Sequence, residues 1–85
     1  MSKPLPDRVR AILATELCRP LDQCTDTANL ADDLGCDSLD RIALQSELEA
    51  QFRIREIQDA EIEAAVTVGD VIALVQRLVG AKANA

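Results

Sequence analysis

The sequence predicts an all-α fold: a four-helix bundle of three longer helices and one short one, with a long loop between the first and second. Apolar residues recur three and four apart in separate stretches, as helices with one buried stripe require. The large apolar set is Leu, Ile and Val, with one Phe and no Trp or Tyr, which suits closely packed helices better than a small β-barrel. Proline, glycine and polar clusters punctuate these stretches. The 85 residues are expected to form one domain, 1–85, with frayed tails at 1–5 and 81–85. A chain this short has room for one small core.

Pro4 and Pro6 delay regular structure, and Pro6 or Asp7 then sits in the first turn of a helix over 6–18. Val9, Ile12, Leu13 and Leu17 make its apolar stripe, and Pro20 stops it. From 21 to 37 the chain is rich in Asp, Asn, Thr and Gly, a long loop pinned to the core by Leu21, Leu30 and Leu34. A loop of that length with apolar anchors points to function rather than disorder.

The words Leu34-Gly35-Cys36-Asp37-Ser38-Leu39-Asp40 end this loop. Gly35 can take positive φ and Asp37 can cap a helix, which presents Ser38 at the first helical turn. The second helix, over 38–51, is expected to turn Leu39, Ile42, Leu48 and Phe52 inward with Leu44 near that face, and to leave Asp40, Arg41, Glu47 and Glu49 towards solvent. Asp59 can cap a short third helix over 60–65. Thr67-Val68-Gly69-Asp70 has the form of a capping box for a last helix over 68–79, with Val71, Ile72, Val75 and Leu78 inward and Gly80 as its stop. Small residues at Ala43, Ala50, Ala64, Ala65 and Ala73 allow a deformable core.

Charge is concentrated near Ser38. Of the net −6, residues 20–50 contribute −7, from eight acids (Asp22, Asp26, Asp32, Asp33, Asp37, Asp40, Glu47, Glu49) against one base, Arg41, so the remainder carries +1. Such a field repels nucleic acid and attracts basic patches on partner proteins. Three cysteines, Cys18, Cys24 and Cys36, are odd in number and lack C-x-x-C spacing, so they read as reduced fillers rather than a disulfide or zinc framework. The chain has no histidine, which excludes Cys/His and Ser/His/Asp catalysis. A calcium loop with Gly35 at its sixth position would put Leu30 first and Arg41 twelfth, so that reading fails and no metal is expected. No apolar run approaches the roughly 20 residues of a membrane span, and the expectation is a cytoplasmic monomer.

Leu-Gly-x-Asp-Ser-Leu-Asp followed by Ile42, Leu44, Leu48 and Phe52 resembles the acyl carrier protein family, over about 9–79 and most strongly over 30–52. The resemblance implies that Ser38 carries a covalent 4′-phosphopantetheine, attached by a separate phosphopantetheinyl transferase, and that the chain is a carrier of acyl thioesters and not an enzyme. Asp37, Leu39 and Arg41 are then the neighbours of that group. Arg41 is placed to pair with its phosphate or with Asp37. Asp40, Arg41, Glu47 and Glu49 are docking residues for acyl-activating, acyl-elongating or acyl-transferring enzymes with basic patches. Four departures from the fatty-acid-synthesis type point to a dedicated fatty-acid, lipid or secondary-metabolite pathway: Arg41, Ala43 where that type has Glu, a helix end reading Glu49-Ala50-Gln51 where that type has consecutive acids, and an Arg53-to-Asp59 loop without proline. A peptidyl or aminoacyl carrier, and an unmodified helical interaction module in which Ser38 is only a cap, are the alternatives.

Overall fold

The computed structural model describes residues 3–83. Its elements run α1 (Leu5–Leu17), a 3-10 turn (Leu21–Gln23), α2 (Ser38–Phe52), α3 (Asp59–Ala64) and α4 (Val68–Ala83). Among the described residues no strand forms beyond one isolated bridge between Asn29 and Thr67. The all-helical expectation therefore holds, with three longer helices, one short one and a long first connection.

Helix α1 lies against both α2 and α4. Val9, Leu13 and Leu17 of α1 meet Leu44, Leu48 and Phe52 of α2 and Val68, Val71, Val75 and Leu78 of α4 in one buried cluster, which Ile57 and Ile62 close. Burying each such side chain contributes about 1.5–3 kcal/mol. Of the five alanines expected to loosen this core only Ala65 is buried; Ala50, Ala64 and Ala73 are exposed and Ala43 is half-buried, so branched side chains fill the interior.

Helix α2 is rotated from its expected setting. Leu39 is 76% exposed and Ile42 61%, whereas Leu44 is wholly buried with Leu48 and Phe52. The inward stripe is therefore 41, 44, 45, 48 and 52, and it places Arg41 and Gln45 half-buried on the core-facing side. Both stripes are apolar in places, and packing against α1 selects the one with two buried leucines and a phenylalanine.

The loop is anchored by different residues from those expected. Leu30 and Leu34 are buried, but Leu21 is 52% exposed, and Cys24, Ala28 and Cys36 take the remaining inward places. Leu30 N donates to Val66 O at 2.9 Å, Val68 N to Ala28 O at 3.0 Å and Gly69 N to Asp26 O at 2.9 Å, which ties the loop to the α3–α4 junction. A Cβ on Gly69 would stand 3.0 Å from Asp26 O, so the close approach requires glycine.

Three element ends also differ. Helix α3 starts at Asp59 rather than after it. Helix α4 passes through Gly80 and reaches Ala83, so neither the stop at Gly80 nor a tail beginning at 81 occurs; no left-handed turn forms there, and Ala81, Lys82 and Ala83 are good helix formers. At the other end α1 already includes Leu5. The parts of the expected tails at 1–2 and 84–85 lie outside the described residues.

Candidate functional site

Four local devices deliver Ser38 to the start of α2. The Asn29 side-chain oxygen accepts from Ala31 N at 3.0 Å and Asp32 N at 2.9 Å, while Asn29 N donates to Asp33 Oδ2 at 2.8 Å, so the loop turns tightly between its two buried leucines. Arg19, just beyond α1, donates from Nε to Leu34 O at 3.3 Å. Gly35 then takes φ +70°, a left-handed setting that L side chains resist. Cys36 returns to the core, its amide on Leu30 O at 2.8 Å.

Asp37 is the extended N-cap of α2. Its Oδ1 accepts from Asp40 N at 2.8 Å and its own amide donates to Asp40 Oδ2 at 3.1 Å, a reciprocal capping box. Ser38 is thus the first helical residue, exposed, and its hydroxyl makes no hydrogen bond among the described residues. The amides of Ser38 and Leu39 likewise have no described acceptor and open outward at the positive end of a 15-residue helix. The cap is Asp37, and Ser38 is unemployed in the fold.

Beside Ser38 a cleft of about 180 Å³ runs between α2 and α3, lined by Arg41, Ile42, Gln45, Asp59, Ile62 and Glu63. Gln45 Nε2 bridges its walls, donating to Ile57 O at 3.0 Å and Asp59 Oδ1 at 3.3 Å. Arg41 makes no ion pair with Asp37 among the described residues, contrary to one of its two expected pairings. Its Nε is shut off from solvent without a hydrogen-bond partner. Burial pushes the Cys36 thiol up, with Asp40 and Asp37 adding to this and the nearby Arg41 opposing it, so Cys36 stays a protonated filler. Cys24 is likewise buried, whereas Cys18 is exposed; all three thiols are free.

The acids expected to dock partners are partly engaged within the chain. Asp40 completes the cap, Glu47 accepts from Gln51 Nε2 at 2.8 Å, and Glu49 Oε2 accepts from Ile57 N at 2.8 Å. Asp26, counted only in the local acidic field, pairs with Arg10. Among the described residues no group of three or more cysteine or acidic side chains is gathered to hold a metal ion. Sequence reasoning missed Gln45, Arg19 and Gly69. Gln45 was readable as the seventh residue after Ser38 once Leu44 and Leu48 define the stripe; the other two depend on contacts distant in sequence.

A family model described as a phosphopantetheine attachment site matches residues 7–75. The chain is 36% identical over 73 residues to the acyl carrier protein of Thermotoga maritima, covering 86% of this chain and 89% of that protein. It is 39% identical over 83 residues to that of Saccharopolyspora erythraea, covering 98% and 86%, and 40% identical over 75 residues to that of Phenylobacterium zucineum, covering 88% and 94%. The solved structure of the acyl carrier protein from Enterococcus faecalis superposes with a TM-score of 0.72 at 31% identity, over 87% of this chain and 92% of that one. With its helical bundle and a matched phosphopantetheine attachment site, the chain belongs to the acyl carrier protein family.

Proposed function

We propose that Ser38 is the attachment point of 4′-phosphopantetheine and that the chain carries acyl groups for a dedicated pathway. One observation carries the assignment: the helix cap is Asp37, which leaves the exposed Ser38 hydroxyl without a structural task. When bound, the group supplies a terminal thiol that holds acyl chains as thioesters between enzymes. The chain's own residues do the rest. Asp37 and Asp40 fix the first turn, so that Ser38 is offered to a transferase at a constant angle. The amides of Ser38 and Leu39 with the α2 dipole favour an anion there by about 0.3–1 kcal/mol.

Partner recognition falls on the same end of α2, where Leu39 and Ile42 stand exposed among Asp37, Asp40 and Arg41. Glu47 and Glu49 present only what their internal bonds leave free, which weakens the acidic signal of a general fatty-acid carrier and supports a specialised one. The test is intact mass before and after incubation with coenzyme A, magnesium and a broad-specificity phosphopantetheinyl transferase. The wild-type chain gains one phosphopantetheine group. Ser38→Ala gains none and changes stability by less than about 0.5 kcal/mol, since no cap is lost. A loss of 1 kcal/mol or more on Ser38→Ala, with no mass gain in the wild type, would return Ser38 to a capping role. Specialisation fails if the protein restores growth to cells lacking their housekeeping carrier.

A further inference from the structure

Resting on the reading of Ser38 as the attachment point, we infer that Arg41 is a positioning residue for the phosphodiester on Ser38, holding the base of the arm in the α2–α3 cleft.

Arg41 stands on the inward stripe of α2, one turn before Leu44 and two before Leu48, so its stem is packed rather than free. Its Nε has no solvent access and no acceptor. A buried N–H in that state is costly, and a guanidinium N–H more so. Of the neighbouring carboxylates, Asp37 and Asp40 are engaged on each other's amides and Asp59 on Gln45, while Glu63 lines the far wall of the same cleft without a bond to Arg41. None of them lies within ion-pair distance of Arg41.

The one acceptor that modification adds at a fixed place is the phosphodiester. Residues three apart on a helix have Cβ atoms about 5–6 Å apart, and Ser38 and Arg41 line the same cleft. A planar guanidinium suits phosphate oxygens, and the Ser38 and Leu39 amides open towards the same group. Arg41 therefore draws the start of the arm inward along α2, where an unanchored phosphodiester would swing in solvent.

The test compares apo protein with the holo form, conversion being verified by intact mass, through the Arg41 Nε–H proton resonance and the ³¹P resonance of the phosphodiester. The expected result is a downfield shift of the Nε–H on conversion, with slower exchange with water. In holo Arg41→Gln the ³¹P resonance moves and the arm protons relax as a freer chain, and Arg41→Lys restores the wild-type signals only in part. An Nε–H resonance identical in the apo and holo forms, or a ³¹P resonance identical in the wild type and Arg41→Gln, overturns the inference while leaving the assignment of Ser38 intact. An absence of mass gain overturns both.

Discussion

Cys18 and Arg53 end α1 and α2 with φ of 53° and 52°, in the left-handed region where a side chain crowds the following carbonyl. That conformation costs an L-residue about 1–2 kcal/mol, and glycine, which avoids it, gives back about 0.5–1 through the entropy of its unfolded chain. Cys18→Gly is therefore expected to stabilise the fold by about 0.5–1 kcal/mol, read as a higher denaturation midpoint at unchanged slope. Cys18 is also the exposed thiol of the three, so the substitution removes no packing. At this scale the sequence was informative where chemistry is local. Asp37, Ser38, Thr67 and Asp70 took the places their short spacings indicate, because a cap involves only three or four consecutive residues. The positive φ at Cys18 was hidden, since nothing in a cysteine marks it.

Helices α3 and α4 are fastened at their starts by carboxylates. Glu61 takes a two-pronged bond from Arg55 at 2.9 Å, the Gln58 amide at 2.9 Å and a looser approach of Arg77 at 3.5 Å. Arg55 first, then the Gln58 amide, hold its carboxyl at about 2. Asp70 accepts from the amides of Thr67 and Val66, which hold it below its ordinary range. In both cases the folded chain binds the proton less readily than the unfolded chain. Their stabilisation is present above the ordinary carboxylate range and is lost as pH falls through the folded values, for Glu61 from 4.5 towards about 2. Denaturant midpoints measured across that interval should fall, and the fall should be shallower in Glu61→Gln and in Asp70→Asn. The rotation of α2 shows why this scale was only partly legible. Leu39 and Ile42 offer one apolar stripe and Leu44 and Leu48 another, and only the packing with α1 decides between them. Gly80 misled for a related reason: a glycine ends a helix when the chain turns left-handed there, and here it does not.

At the scale of the molecule the long loop is a third packing layer, held by buried side chains and by three backbone bonds to the α3–α4 junction. Gly69→Ala is expected to drive its Cβ onto Asp26 O and to destabilise the chain by about 1–3 kcal/mol, with the amides of Leu30, Val68 and Cys36 losing hydrogen-exchange protection together. Loss of protection at residue 69 alone would mean that the loop does not open as a unit. This long-range tethering left no mark in the sequence, since Ala28, Asp26 and Val66 contribute only backbone atoms to it. The far end of α2 is held differently from its Ser38 end. Arg8 donates to Gln51 O at 3.0 Å and lies 4.3 Å over the Phe52 ring, and Lys82 donates to Phe52 O at 3.1 Å, so cations from α1 and α4 both grip the negative pole of the helix. Mechanically, α2 is a beam supported along its length: the Asp37–Asp40 box closes the Ser38 end, Leu44 and Leu48 seat the middle in the core, and the two cations grip the other end 14 residues, about 21 Å, away, so a load hung on Ser38 meets a stiff mount.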